Sequence, residues 1–384
     1  MNTFRYLSFA QEVHFGAGSL DQIGEFINAF GWQRLMLCTT GHFRHQGIVI
    51  RLTEALRDRL VVTYEPVQSH VPDFQVAQAT ALATQHQIDA VIGLGGGSSI
   101  GMAKAVSLAL EAHRTGHPAQ AAFPTDQPLV PVVAIPTTYA GSEMTPVYGI
   151  THHQDAVARK ITVTDAKIAP KLTIYDPLLT LDLSPRLTAG TGINAVAHCI
   201  EALYSITGNP LSAAAALGGL RRIASALPRC FVAGDDVEAR TQMLMGSFLA
   251  GTALSSVAMG LHHGLCHVLG GTLGVTHGDA NSVMLPYVMR FNAEVTASPL
   301  AEAAEAMGIP RAGRSDEAMA EAAAQQIDDW VNFMHLPQRL REIGVREEDL
   351  PSLAQLAFAS RTVQNNPKAI KDVAAIDALL RQAW

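Results

Sequence analysis

Between residues 34 and 138, short β-rich runs alternate with stretches of helical period, and that alternation limits the fold more than any other feature. "RLMLCTT" (34–40), "LVVTYEPV" (60–67), "AVIGLGG" (90–96) and "LVPVVAIPTT" (129–138) read as buried strands. Residues 46–58, 73–87 and 98–115 carry apolar side chains at helical spacing. Apolar strands separated by helices need cover on both faces, which a parallel sheet with helices on either side supplies. After "KLTIYDPLLTLDLSPRL" the character changes. From about residue 187 the chain is Ala- and Leu-rich, helical in period and nearly free of β-branched runs. The expectation is an α/β domain over 1–179 with a Rossmann-like parallel sheet, then an all-α domain over 180–384. A length of 384 residues suits two domains. The cleft between them is the default place for an active site.

The "AEAAEA…EAAAQQ" region (301–326) reads as solvated helix rather than linker. A formal charge of −7 argues against nucleic acid or an anionic membrane as partner, since both need a basic surface. It also means that an anionic substrate has to be held by a local cluster of donors. No apolar run reaches the roughly 18 residues of a bilayer span. "MNTFRYLSFAQEVHFG" lacks the order of a signal peptide. Cys38, Cys199, Cys230 and Cys266 form no CxxC and no regular framework, which fits reduced thiols in the cytoplasm.

"VIGLGGGSSIGMAKAV" places Gly93, Gly95, Gly96, Gly97 and Ser98 where a strand gives way to a helix. Glycines admit a pyrophosphate close to the backbone, and the free N–H groups of the helix start hold its charge. The usual fingerprint fits poorly, because Ser98 takes the third glycine's place and no acid lies about 20 residues on. A tight turn without ligand is the competing reading. "IPTTYAGSEMTP" (135–146) brings Thr137, Thr138, Ser142 and Glu143 to the same sheet edge. Two such loops favour a nucleotide site more than either alone.

In "GINAVAHCIEA" (192–202), Asn194 and His198 lie four apart and share a helix face. Downstream, "LHHGLCHVLGGTLGVTHGD" supplies His263 and His267 one turn apart, then His277. His262 should face away from that pair. Imidazoles in such a set bind a divalent metal, move a proton or, when protonated, hold an anion. A neutral amide at position 194 is a poor ligand for iron or zinc, yet it donates a hydrogen bond to a substrate oxygen as Asp cannot. Cys199 and Cys266 adjoin site histidines but read as helix-packing residues.

Together these stretches resemble the iron-containing (group III) alcohol dehydrogenase family, which shares its fold with dehydroquinate synthase, and within it the maleylacetate reductases. The likeness runs from "VHFGAGSL" through "GLGGGSSIGMAKA", "DPLLT", "LTAGTGINAVAHCIEA" and "HVLGGTLGVTHGDANSVMLPYVMRFN" to "NNPKAIKDVAAIDALL". "IPTTYAGSEMTPVYGIT" and "LHHGLCHVLGG" carry the branch. The resemblance implies that Gly95, Gly96, Gly97 and Ser98 hold the cofactor pyrophosphate. It puts Thr137 and Thr138 on the nucleotide and Lys160 near it. Thr40 stands where relatives often have an Asp for the adenosine ribose, so NADPH is expected to serve beside NADH. Gly101 replaces a common Asp. The family's metal ligands fall on Asn194, His198, His263 and His277, and His267 matches a proton-relay position. A homodimer is implied.

The activity implied is NAD(P)H-dependent reduction of the C2=C3 double bond of maleylacetate, a small dicarboxylate, to 3-oxoadipate in aromatic-compound catabolism. Charge then develops on an enolate oxygen, which an amide and imidazoles stabilise. With Asn194 in place of Asp, the expectation is catalysis by Asn194, His198, His263, His267 and His277 with no metal required. Arg361, Lys368, His153 and Tyr148 are weak candidates for anchoring the carboxylates. The rival readings are a metal-dependent dehydrogenase of small alcohols or lactaldehyde, a lyase on the dehydroquinate-synthase scaffold, and a non-catalytic nucleotide-binding protein.

Overall fold

The computed structural model describes residues 4, 6–9, 11–45, 47–117, 119–123, 126–154 and 157–384. The chain divides into two compact units, Leu7–Asp182 and Leu183–Trp384, with Phe4 and Tyr6 belonging to the latter.

The first unit contains strands β1 (Glu12–Phe15), β2 (Leu35–Cys38), β3 (Leu60–Tyr64), β4 (Ala90–Gly95), β5 (Val132–Pro136), β6 (Val147–Gln154), β7 (Val157–Thr164) and β8 (Leu172–Tyr175). Its helices are α1 (Ile23–Phe30), α2 (Gly47–Leu56), α3 (Asp73–Gln85) and α4 (Gly97–Thr115). Six strands form one sheet in the order β1-β8-β5-β4-β2-β3. Every pairing within it is parallel. Successive side chains go to opposite faces. Met36, Cys38, Val91 and Val132 join the core beneath α3 and α4. Leu35, Leu37, Ile92, Leu94, Val133 and Ile135 join a second core with Ile23 and Ile27 of α1 and Leu52 of α2. Burial on both faces is why these strands read as unbroken apolar runs. The sheet also takes in β1 and β8, which the apolar-run reading does not mark. An antiparallel hairpin, β6–β7, stands apart from it.

The second unit is helical: α5 (Pro185–Tyr204), α6 (Pro210–Val232), α7 (Val237–Ser255), α8 (Leu261–Leu273), α9 (His277–Ala306), α10 (Asp316–Phe333), α11 (Leu350–Phe358), α12 (Arg361–Gln364) and α13 (Val373–Ala383). The 301–326 region belongs to α9 and α10, and many of its alanines are buried rather than solvated. Helix α5 starts cleanly, with Ser184 capping the Leu187 N–H and Pro185 in the first turn. It then runs buried against α6, α7 and α9. Small residues make this close approach workable. A Cβ on Gly278 would stand 3.0 Å from the Gly190 Cα, and one on Gly192 would meet Leu227 at 2.4 Å. Among the described residues no helix is long and apolar enough to cross a membrane.

Candidate active site

In the first unit, β4 ends at Gly95 and α4 begins at Gly97, with Gly96 as its N-cap. Gly95 has φ +136°, and a Cβ there would lie 2.7 Å from Ser99 Oγ. Only glycine fits. The neighbouring strand β5 ends at Pro136, and the Thr137 N–H donates to the Gly95 carbonyl at 3.0 Å. Thr138 packs against Gly96 closely enough that a Cβ on Gly96 would meet its methyl at 3.2 Å. On the other side of β4, Thr40 follows β2, whose end is tied to β4 by Thr39 Oγ1 donating to the Leu94 carbonyl at 3.0 Å. Gly95, Gly96, Gly97, Ser98, Thr137, Thr138 and Thr40 thus converge on the carboxyl edge of three adjacent strands. That is where open α/β sheets bind nucleotides. Lys160 lies on β7, opposite Thr151, and its side chain is outside the described residues, as is that of His153. A Cβ on Gly101 would already meet Val71 at 3.1 Å, so the acid common in relatives has little room here.

Behind this edge lies a polar group that the sequence reading missed. The buried Lys104 ammonium donates to the carbonyls of Ser142 (2.6 Å), Thr145 (2.7 Å) and Val147 (2.9 Å). Burial pulls Lys104 down to about 7, against the pull of Glu143 in the opposite direction. Glu143 is itself buried, which raises its pKa, and it accepts from the Tyr175 hydroxyl at 2.8 Å. The signal was a lone lysine in an otherwise apolar helical stretch.

In the helical unit, the histidines do gather. His198 of α5 and His263 of α8 stack with ring centroids 4.8 Å apart. His267 and His277 stack at 5.4 Å, and His277 stands 6.4 Å from His263. His198 and His263 are buried, while His267 and His277 are partly exposed. Burial, reinforced by the neighbouring imidazoles, keeps the His198 pKa well below its ordinary value, so the ring is neutral.

Asn194 sits beside them with a fixed orientation. Asn281 Nδ2 donates to the His277 carbonyl at 2.6 Å and to Asn194 Oδ1 at 3.1 Å. A carbonyl accepts only, so Asn281 must turn its NH2 that way. The atom of Asn194 facing that NH2 is therefore oxygen. Asn281 follows His277 by one helical turn, a spacing the sequence reading did not use.

Glu201, three residues after His198, was also passed over. It is buried and accepts from the N–H groups of Gly260, His262 and His263 at the start of α8, and from His263 Nδ1 at 2.5 Å. Burial works against its ionisation, but the His263 hydrogen bond and the adjacent imidazoles keep its pKa below the ordinary value. His262 sits beside the same carboxylate oxygen, with Nδ1 3.9 Å from it and 3.4 Å from His263 Nδ1. Buried there, it is held down to about 3. Of the weak anchor candidates, Lys368 is paired with Glu294 at 2.9 Å and Tyr148 is buried in β6. Arg361 is exposed at the start of α12. Cys199 and Cys266 are fully buried, with burial raising both thiols.

Residues 10–177 match the family description iron-containing alcohol dehydrogenase, and residues 188–384 match the C-terminal region of the Fe-containing alcohol dehydrogenase family. The chain belongs to the iron-containing alcohol dehydrogenase family. Family relatives include maleylacetate reductase 1 of Cupriavidus pinatubonensis, 34% identical over 382 residues that cover 100% of this chain and 97% of that protein. The crystal structure of maleylacetate reductase from Rhizobium sp. strain MTP-10005 superposes with a TM-score of 0.84 at 33% identity, covering 100% of this chain and 99% of that one. A 1,3-propanediol oxidoreductase structure reaches 0.91 at 30% identity, with 100% of both chains covered.

Membership corrects one expectation. The sequence reading took the amide at position 194 to mean that no metal is required. The family is an iron-containing one, and the structure gathers Glu201, His262 and His263 with potential donor atoms within 4.8 Å of one another. His198 Nδ1 and His263 Nε2 are buried without a hydrogen-bond partner, the state of lone pairs suited to a divalent cation. The donor set fits a metal. His198 and His263 would hold it, with His277 the nearest further imidazole at a family ligand position. What misled the sequence reading is that the fit rests on buried imidazole nitrogens and not on an acid at position 194.

Proposed function

We propose that the chain is a maleylacetate reductase, reducing the C2=C3 double bond of maleylacetate to 3-oxoadipate with NADH or NADPH. The observation that carries this reading is the likeness to maleylacetate reductase 1 along the whole chain. The site chemistry agrees. Hydride reaches C2, β to the ketone; the ketone oxygen takes up negative charge as an enolate, and C3 takes a proton. The Asn194 amide, its oxygen held by Asn281, offers its NH2 end as a neutral donor to an oxyanion. A carboxylate at that position would repel a dianionic substrate. His267 and His277, the partly exposed members of the cluster, are the ones that exchange protons with solvent and supply the proton at C3. A divalent cation, when bound, supplies Lewis-acid polarisation of the ketone. On the nucleotide side, Gly95, Gly96, Gly97 and Ser98 hold the pyrophosphate, and Thr40 leaves room for a ribose 2′-phosphate.

The resemblance supports a homodimer. Four buried cysteines with no disulfide among them support a reducing, cytoplasmic setting, and the negative charge argues against nucleic-acid or membrane partners. A second reading, a dehydrogenase of small alcohols, draws on the 1,3-propanediol oxidoreductase superposition. Loss of NADH absorbance on adding maleylacetate, against NAD+ reduction with propane-1,3-diol, separates the two. Turnover of the diol without turnover of maleylacetate overturns the first.

A further inference from the structure

The acid absent from position 194 has a counterpart two turns further along the same face of α5. Glu201 presents both carboxylate oxygens to the start of α8. Oε1 accepts from the Gly260 and His262 N–H groups, each at 3.1 Å. Oε2 accepts from the His263 N–H at 3.2 Å and from His263 Nδ1 at 2.5 Å. Four donors thus engage this one carboxylate. The other ring nitrogen, His263 Nε2, is buried with no hydrogen-bond partner.

We propose that Glu201 is a positioning residue that fixes His263 as the Nδ1–H tautomer and so presents the Nε2 lone pair to whatever the cluster binds. An ionised carboxylate only accepts, so the proton must lie on Nδ1. Three backbone N–H groups hold the carboxylate itself in place, and the imidazole inherits that orientation. The negative charge also makes Nε2 a stronger donor toward a metal, as a carboxylate behind a ligating histidine does generally. The metal arm of the test rests on the fit of the donor set; the tautomer does not, and neither depends on the substrate assigned above.

Glu201→Gln discriminates. The amide NH2 has two places to go. Facing Gly260 and His262, it would meet two backbone donors at once. Facing His263, it meets one backbone donor and a ring nitrogen able to shed its proton, so the variant is expected to switch His263 to the Nε2–H tautomer. In 15N-histidine-labelled wild-type protein, with His263 signals assigned by their loss in His263→Phe, Nδ1 should be protonated and Nε2 bare. Glu201→Gln should exchange the two and weaken Zn2+ binding about 10- to 100-fold in competition with a chromophoric chelator, with the far-UV circular dichroism unchanged. A wild-type His263 protonated on Nε2 overturns the proposal, whether or not the variant folds. So does a folded Glu201→Gln that keeps both the wild-type tautomer and the wild-type Zn2+ affinity. No readout involves maleylacetate, so inactivity on that compound sinks the substrate reading alone.

Discussion

Asn281 Nδ2 holds the side-chain oxygen of Asn194 at 3.1 Å, across 87 residues of chain. Asn194→Asp keeps an oxygen for that bond and replaces the NH2 by a charged oxygen. Zn2+ affinity should rise at least about tenfold, and kcat/KM for maleylacetate should fall by a similar factor as a donor becomes a repelling charge. Chelator competition and steady-state kinetics check both. An Asn194→Asp enzyme with unchanged kcat/KM would show that the amide does not face the substrate.

Gly190 and Gly278 bring α5 and α9 together where Asn194, His277 and Asn281 meet. Gly278→Ala puts a methyl about 3 Å from the Gly190 backbone. Overpacking there should lower stability by about 1–3 kcal/mol. It should also cut kcat about tenfold or more by moving His277 away from Asn194. Thermal denaturation alongside kinetics tests this; a variant with wild-type melting and turnover would show the helices have slack.

Gly95→Ala strikes the nucleotide edge from the backbone. A side chain at φ +136° is strained, and the new Cβ collides with Ser99 Oγ. NADH affinity, read from fluorescence quenching, should fall at least about tenfold. The histidine cluster should keep its Zn2+ affinity, which makes the loss specific to the dinucleotide.

The buried imidazoles predict acid lability. His262 and His198 have pKa values depressed by burial, to about 3 for His262 and well below the ordinary value for His198. In the unfolded chain both charge near pH 6.5, so below that pH the unfolded state binds more protons and stability falls. Each group contributes up to about 1.4 kcal/mol per pH unit. The melting temperature of the metal-free protein should hold above pH 6.5 and drop steadily from there to pH 5. A flat profile would mean these rings are already charged in the fold.

Much of the sheet could be read from the chain because its central strands are buried on both faces, and that prints as apolar runs. The strands β1 (EVHF) and β8 (LTIY) carry polar residues within their four positions, so neither prints as an apolar run, and β6–β7 mixes polar with apolar residues along a separate hairpin. The histidine set was legible because helical spacing converts directly into a shared face. Glu201 and Asn281 were not, although Glu201 stands within "GINAVAHCIEA". Their partners arrive from other helices, with Gly260 lying 59 residues beyond Glu201. The metal question turned on the same limit. A sequence displays which ligand is neutral, but not which ring nitrogens end up buried and bare.

The grip of Lys104 on residues 142–147 runs chiefly through main-chain carbonyls. Such an anchor is blind to the letters it holds. Loop positions whose side chains take no part in this grip can change without loosening it, while an exchange at Lys104 releases the whole segment. The buried Glu143 is the exception, because its charge favours the ammonium that does the holding.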